Sequence, residues 1–374
     1  MTTGKSADPV FRTDQIGSLI RPAELLDARD DYKAGRIDRA AQSAAEDKAI
    51  IDKLELQRQA GVEVFTDGEF RRDGYQTIIS EAVEGFAAEY PVQNDVRPDG
   101  TVVQVVHHSK PITGKLKRHR RLAKTDADFL KQHAPGPFKI TLISPAFVAW
   151  RGYKAGVTDK AYPDKGELLN DLVNIISDEM RDLATDGTPY IQLDMGFAQY
   201  ARDEVHEKAK AEGIDLDAHI EKYIEAENRC YAAARRPGVT FGMHVCRGNR
   251  NAFNQARGSY EWLAERLFGR LDVDRFLLEY DSDRAGGLEP LRFLPRGKVV
   301  VLGLVSSKNP ALESVDELRR KVDEAASYCS YEQLALSAQC GFHGAADRDA
   351  MHMTQDDEKR KLALIAETAH RIWS

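Results

Sequence analysis

The chain has 374 residues, 42% apolar and 30% charged, with 53 Lys and Arg against 60 Asp and Glu for a net charge of −7. These values exclude a disordered chain and give no basic excess of the kind a general nucleic-acid binder needs. No apolar stretch reaches membrane-spanning length, no hydrophobic leader opens the sequence, and four cysteines are too few for a disulfide framework, so the expected compartment is the cytoplasm, where thiols stay reduced and free to bind metal.

In chain order, a polar start (Met1 to Pro9), expected to be frayed, leads into the first of eight short apolar runs. The runs are Asp14–Ser18, Val62–Thr66, Lys139–Ser144, Tyr190–Asp194, Thr240–Val245, Arg275–Tyr280, Lys298–Leu304 and Gln333–Ser337. Several are almost continuously apolar, the pattern of strands buried on both faces. Between the second and third, Thr101–His107 and Pro111–Leu116 read as an inserted antiparallel β-hairpin. The basic run of Lys115, Lys117, Arg118, His119, Arg120, Arg121 and Lys124 reads as a solvated face, with a dock for an anionic substrate tail as the sharper alternative.

Helical spacing fills the intervals. Glu167–Leu183 puts Leu168, Leu169, Leu172, Val173, Ile176 and Met180 on one face and is closed by Asp186-Gly187. Ser314 and Glu317 have the spacing of a capping box opening a helix to about Tyr328. A last helix from Gln355 to Trp373 carries the stripe Leu362, Ile365, Ala366, Ala369 and Ile372. Strand and helix alternating eight times predict a single (β/α)8 TIM barrel over residues 1–374, with the hairpin inserted after the second strand.

The polar residues gather at one end of these strands. The runs end at Gly17-Ser18, Asp67-Gly68-Glu69, Ser144-Pro145, Asp194, His244-Val245-Cys246, Glu279-Tyr280-Asp281 and Ser306-Ser307-Lys308, and the eighth leads into Cys340-Gly341. In a barrel enzyme that end holds the active site. His244 and Cys246 lie two residues apart on an extended chain, so their side chains share a face. Alone, that pair would read as a buried histidine beside a core cysteine. Glu279 and Cys340, at the mouths of other strands, complete a set of one nitrogen, two thiolates and one carboxylate that suits four-coordinate Zn2+. Cys230 and Cys329 fall in helical patterns and read as packing residues. A carboxylate in a thiolate-rich site is an exchangeable ligand, so a substrate thiol is expected to displace it or a neighbouring water and react as a metal-stabilised thiolate. Two thiolates make the metal a poor Lewis acid for water, which disfavours a hydrolase, and zinc's lack of redox chemistry points to group transfer.

QIGSLIRP, TDGEFRRDGY, IQLD, MHVCRGN, LLEYD, LGLVSSK with Glu313 following, and QCGF stand in one order along nearly the whole chain. Together they resemble the cobalamin-independent methionine synthase family, most closely its short one-barrel members, which correspond to the catalytic C-terminal half of the full enzyme. The resemblance implies a zinc-dependent (β/α)8 barrel that transfers methyl from a methyltetrahydrofolate to homocysteine. It implies His244, Cys246, Glu279 and Cys340 as zinc ligands and places Ile16, Gly17 and Ser18 beside homocysteine. Glu69 and Asp194 would hold the amino end of that substrate by charge-assisted bonds. As plain structure, Glu69 would be a loop carboxylate and Asp194 a helix cap. Trp150 matches the position near the folate pterin and would otherwise be a core aromatic.

The sequence departs from the long enzyme in three places. Asp194-Met195-Gly196 replaces Asp-Glu-Pro, and Ser306-Ser307-Lys308 replaces the histidine proposed to protonate the leaving group. No N-terminal partner barrel precedes the strands, leaving the basic run around Lys117 as the one candidate hold on a polyglutamyl tail. The chain also resembles epoxyalkane:coenzyme M transferase, where a zinc thiolate opens an epoxide and a cationic pocket takes a sulfonate. The expected partners are thus a small-molecule thiol and a methyl or alkyl donor, with no nucleic acid or membrane. A zinc-binding protein without catalysis is the reading of a different class, and it predicts a site closed to solvent.

Overall fold

The computed structural model describes residues 11–96, 102–106, 109–250, 253–254, 257–343 and 353–374. The polar start expected to be frayed lies outside them, apart from its surroundings beyond residue 10. The centre is a six-stranded sheet of Lys139–Ile143, Tyr190–Asp194, Thr240–Val245, Arg275–Glu279, Val299–Val305 and Leu334–Ala338. All neighbours are parallel and spatial order follows chain order, so the intervening segments return on one side as crossovers. Each of these strands lies within a residue of its predicted run, and nearly every strand residue is buried, as continuous apolar runs require.

The first two predicted strands are different. Among the described residues, the run at Asp14–Ser18 joins the sheet only through a bridge between Thr13 and Leu336, and Val62–Thr66 only through one between Phe65 and Phe138. Side chains occupy the places a ladder would use. The Glu63 carboxylate accepts from the backbone N–H of Arg12 (2.5 Å) and Thr13 (2.7 Å). Gln15 Nε2 donates to the Val64 carbonyl (2.8 Å), and Thr66 Oγ1 donates to the Gly17 carbonyl (3.0 Å). Gln57, from the helix Arg39–Ala60, takes both backbone groups of Thr66. With their backbone groups already satisfied, these segments need no strand partner, and they close the seam between Leu334–Ala338 and Lys139–Ile143. The result is the expected (β/α)8 architecture, with six ladder strands and two side-chain-bonded staves.

The insert is also built differently from the expected hairpin. Val83–Phe86 pairs antiparallel with Ile112–Arg118, and Val92–Val96 with Val102–Val106. The two predicted strands, whose end residues Thr101 and His107 lie outside the described residues, therefore sit on the same returning arm of a ribbon and do not pair with each other. The sequence puts its turn chemistry, Pro98-Asp99-Gly100, before both of them. A Cβ at Gly85 would lie 2.6 Å from the Lys115 carbonyl, so glycine is required where the register shifts.

The basic run is consumed by local acids. Arg118 and Arg121 converge on Glu179, buried on the helix Lys165–Thr185, with Asp182 and Asp186 beside them. Lys115 pairs with Glu167, Lys124 with Asp128 and Arg120 with Glu81. These charges are compensated within the fold, the pattern of a solvated, ion-paired face.

The helix predicted from Ser314 is present as Val315–Ala325, but the Ser314 side chain makes no cap bond, so the expected capping box does not form there. One forms instead at Thr354 and Asp357, opening the C-terminal helix Gln355–Trp373. That helix reaches the barrel mouth. Glu358 accepts from the Ile20 N–H (2.5 Å) and pairs with Lys53 (2.6 Å), while Lys361 binds Glu313, whose carboxylate accepts from the Ser306 N–H (2.8 Å).

Alternation along the strands layers the interior. At the floor Asp14 meets Lys139 (2.6 Å), Arg275 (3.3 Å) and the Tyr190 hydroxyl (3.1 Å). Two residues on, Ile16, Leu277, Val301 and Ala335 form an apolar waist. Two further on stand Asp194, His244 and Glu279, at the C-terminal end of the sheet.

Candidate metal centre at the barrel mouth

His244 and Cys246 leave the end of Thr240–Val245 with the two-residue step that aims both inward. Glu279 ends the next strand, and Cys340 follows Leu334–Ala338 by two residues. One donor atom from each of the four lies within 4.8 Å of every other. Cys246 Sγ is 3.7 Å from Cys340 Sγ, and Cys340 Sγ is 3.8 Å from His244 Nε2. A tetrahedral ion with bonds of about 2.1–2.3 Å has donor–donor edges of roughly 3.5–3.8 Å, so these separations fit one. All four cysteines are free, and a sulfur separation of 3.7 Å is far beyond a disulfide bond. His244 Nδ1 lies 3.1 Å from the Leu277 carbonyl, which can only accept; Nδ1 therefore carries the proton and Nε2 faces the sulfurs.

Glu279 is held from several sides. Its Oε1 accepts from the Arg247 N–H (2.6 Å), Oε2 takes a short contact from Arg284 Nη2, and Lys308 Nζ stands 3.9 Å away. Burial pushes its carboxyl upward, but the charges of Lys308, Arg284 and His244 outweigh burial and hold it below the ordinary range. The Tyr260 hydroxyl accepts from the Glu279 N–H and donates to the Val245 carbonyl, both at 3.1 Å, joining the two ligand-bearing strand ends. Arg247 lies over the Tyr260 ring at 4.2 Å. Burial works against a charged His244, yet Cys340, Asp194 and Glu279 raise it to about 9. Cys340 is lowered to about 5, first by its hydrogen bond from Cys246 and then, against burial, by His244. His244 and Cys246 are thus pushed toward their protonated forms, and a bound cation would displace those protons.

Across the mouth lie the two predicted carboxylates. Glu69 is buried in a left-handed backbone conformation (φ 60°). Its Oε1 accepts from Thr141 Oγ1 (2.8 Å) and lies 3.5 Å from Arg72, while its buried Oε2 has no hydrogen-bond partner among the described residues. Asp194 accepts from Gln192 Nε2 (2.5 Å). Its carboxyl is pushed up to about 7 by burial and by Glu69, against the pull of His244, Gln192 and Lys139. The mouth collects strain as well: the non-glycine residues with positive φ among the described residues are Glu69, Met195 and Phe197, all in its loops.

Gly17 lies against Glu69: a Cβ there would meet Glu69 Oε1 at 2.9 Å and Thr141 Cγ2 at 2.8 Å. The Ser18 carbonyl accepts from the Phe342 N–H (2.9 Å), tying it to the loop that carries Cys340. The Ile16 side chain belongs to the apolar waist, and its carbonyl accepts from Gln192 (2.7 Å). Trp150 is 37% exposed on the helix Pro145–Gly152, with ring contacts to Phe147 and Arg151. The structure therefore gathers the quartet, Glu69, Asp194, Gly17 and Ser18 at one mouth, with Ile16 beneath and Trp150 toward the rim. Cys230 is buried against Val173 and Ser177, as a packing residue would be.

Sequence reasoning missed the cations that set this geometry. Arg21, fully buried, donates to the carbonyls of His343, Glu69 and Arg72 and so ties three mouth loops together. Arg72 lies against Glu69 and Arg284 against Glu279, while the Arg247 guanidinium donates to the carbonyls of Ala201 and Gly258 and so holds the loop whose backbone N–H reaches Glu279. Each lies within a few residues of a recognised acid or ligand, a cationic position inside an otherwise buried motif, and that was the available signal.

Comparison with known proteins places the arrangement. The family described as cobalamin-independent synthase, catalytic domain, matches residues 11–356. The uncharacterized protein YxjH of Bacillus subtilis is 32% identical over 99% of this chain and 97% of its own length. A methionine synthase of Pyrococcus abyssi is 26% identical over 89% of this chain and 86% of its own. A Listeria monocytogenes structure, proposed to be a vitamin-B12-independent methionine synthase, superposes with a TM-score of 0.74 at 27% identity, covering 97% of this chain and 98% of that one. A B12-independent methionine synthase from Shewanella shares the fold (TM-score 0.73, 18% identity, 97% of this chain and 98% of that one).

Proposed function

The chain belongs to the cobalamin-independent synthase catalytic-domain family, and on that premise we propose that it is a zinc-dependent thiol alkyltransferase that methylates homocysteine or a close amino-acid thiol. The observation that carries this reading is a four-donor cluster of one nitrogen, two sulfurs and one carboxylate at the same barrel mouth as a buried carboxylate oxygen, Glu69 Oε2, that has no hydrogen-bond partner among the described residues.

His244, Cys246, Glu279 and Cys340 would hold the zinc. When bound, zinc supplies the positive charge that keeps a substrate thiol ionised at neutral pH. The remaining work belongs to the protein. Glu69 and Asp194 receive the substrate ammonium, which supplies the missing partner of Oε2 and draws the Asp194 proton off. Arg72 and Thr141 fix the Glu69 carboxylate in position. Gly17 lets the backbone approach where any side chain would strike Glu69 and Thr141. The methyl group passes to the substrate sulfur as its bond to the donor breaks; the bonding electron pair stays on the donor atom, which takes up a proton from water. The loop after Val299–Val305 offers Ser307 and Lys308: Ser307 Oγ donates to the Gly341 carbonyl (3.0 Å), and Lys308 faces Glu279. Among the described residues no helix is long and apolar enough to cross a membrane. We read the whole chain as one barrel domain.

The test is product analysis on zinc-loaded protein with homocysteine or coenzyme M as acceptor and methyltetrahydrofolate or an epoxide as donor. Methionine formed from homocysteine supports the reading. An alkylated coenzyme M with no methionine replaces it with the epoxide-opening reaction and leaves the two carboxylates without a role.

A further inference from the structure

Four consecutive residues at the mouth, Gly17 to Ile20, each carry a backbone tie to another part of the fold. The Gly17 carbonyl accepts from Thr66 Oγ1 (3.0 Å), and the Ser18 carbonyl accepts from the Phe342 N–H (2.9 Å). The Leu19 N–H donates to the Gly68 carbonyl (3.1 Å), and the Ile20 N–H donates to Glu358 Oε2 (2.5 Å). The first three partners belong to the neighbouring stave and loops of the mouth. The fourth comes from the C-terminal helix and is the one charged group of the four. We propose that Glu358, held by Lys53, is a positioning residue for the substrate: it sets Gly17 and Ser18 against Glu69 and so makes the helix Gln355–Trp373 part of the thiol-binding site. The proposal rests on the amino-acid-thiol reading above.

Docking the helix does not need these charges. Leu362, Ile365 and Ala369 already bury its apolar stripe. Yet the Lys53 and Glu358 side chains are 2% and 0% exposed, and a buried ion pair costs desolvation that apolar side chains of similar size would avoid. What apolar side chains cannot supply is an acceptor for the Ile20 N–H. A hydrogen bond to an ionised carboxylate is roughly twice as strong as a neutral one, so Glu358 makes the firmest of the four ties.

Lys53 extends the hold to the facing loop. Its Nζ lies 2.6 Å from Glu358 Oε1, 3.3 Å from Gln355 Oε1 and 5.7 Å over the ring of Phe70, the residue after Glu69. That ring fills the space where a side chain on Gly68 would stand. One buried pair therefore braces both loops that meet at the ammonium-receiving carboxylate. The fit there is close: a Cβ on Gly17 would stand 2.9 Å from Glu69 Oε1, so a shift of about an ångström in this loop changes the room left for the ammonium. Glu358 touches no substrate atom in this account and acts through Gly17 and Ser18.

Two charge-free double variants test this. Lys53→Met with Glu358→Gln still offers the Ile20 N–H an amide oxygen, whereas Lys53→Met with Glu358→Leu offers it nothing. Homocysteine affinity is read by calorimetry on the zinc-loaded proteins, with zinc affinity from chelator competition and unfolding stability alongside. The glutamine variant should bind homocysteine within about threefold of wild type and the leucine variant about tenfold more weakly, the size of one lost hydrogen bond, with zinc affinity the same in both. A purely structural pair would move stability and leave homocysteine affinity equal in the two variants, a result that overturns the proposal alone. A loss of zinc affinity that tracks the loss of homocysteine also overturns it, because the effect would then run through Phe342 to Cys340. If the leucine variant does not fold, Glu358→Asp carries the test. It keeps the charge, shortens the reach by one methylene and should weaken homocysteine binding by at least about threefold, and an unchanged affinity overturns the proposal. A wild type that binds no homocysteine overturns the thiol reading itself, and the proposal falls with it.

Discussion

At the floor of the barrel both oxygens of Asp14 are taken, by Lys139, Arg275 and Tyr190, and the Lys139–Asp14 pair is wholly buried. At the mouth, in the loop after Val62–Thr66, Asp67 and Glu69 each keep a buried oxygen with no hydrogen-bond partner among the described residues, as does Glu227 on the helix behind it, and Asp194 is pushed up to about 7. Both ends bury charge, but at the floor the carboxylate has both oxygens paired, while among the described residues the mouth leaves carboxylate oxygens without a hydrogen-bond partner. A finished network fixes the closure of the strands; an unfinished one is a place for a charged ligand to complete. The same contrast separates stability from function in barrels generally, where the N-terminal face stabilises and the C-terminal face reacts.

The largest test of the contrast is at the floor. Asp14→Asn leaves Lys139 and Arg275 without their counter-charge and should cost about 3–5 kcal/mol in denaturant unfolding, as breaking a buried pair does. Glu227, behind the mouth, should behave in the opposite sense. Burial pushes its carboxyl up to about 7, against hydrogen bonds from Ser144 and the Ala146 N–H. The folded protein therefore keeps a proton that the unfolded chain loses above the ordinary carboxylate range, and stability should fall as pH rises from about 4.5 to 7. Glu227→Gln should remove that decline and gain on wild type by on the order of 2–3 kcal/mol between pH 5 and pH 8, read from unfolding midpoints across pH. A variant that follows the wild-type profile would mean the mouth is as well compensated as the floor.

Glu69→Gln sharpens the comparison at the site itself. It removes an incompletely paired charge, so unfolding stability should change by less than about 1 kcal/mol, while calorimetric binding of homocysteine should weaken by about 2 kcal/mol, a charge-assisted bond lost. The smallest effect is expected from Tyr260→Phe. That change removes the hydroxyl joining Val245 to Glu279 and should cost about 1 kcal/mol of stability with a measurable drop in zinc affinity.

The sequence carried the parts of this picture that depend on period and chemistry. Six strands and the helices Lys165–Thr185 and Gln355–Trp373 follow from apolar spacing, and His244, Cys246, Glu279 and Cys340 follow from donor chemistry at strand ends. What it did not show are features decided by partners distant in the chain. The staves at Asp14 and Val62 look like strands, yet Glu63, Gln15 and Gln57 take their backbone groups. Ser314 has the spacing of a capping box and makes no cap bond. The insert's pairing joins Val92–Val96 to Val102–Val106 and Val83–Phe86 to Ile112–Arg118, partners that two adjacent β-rich segments do not reveal. Arg284, Arg247 and Arg21 read as ordinary charged residues until the fold buries them against the ligands and mouth loops.

The central claim, that the mouth is left incomplete for an amino-acid thiol, is tested most directly by calorimetry on the zinc-loaded protein with homocysteine and with its analogue lacking the amino group. The account predicts that the analogue binds at least about tenfold more weakly and that Glu69→Gln erases most of the difference, since the ammonium supplies the missing partner of a buried carboxylate. Equal affinity for the two thiols in the wild-type protein would contradict it.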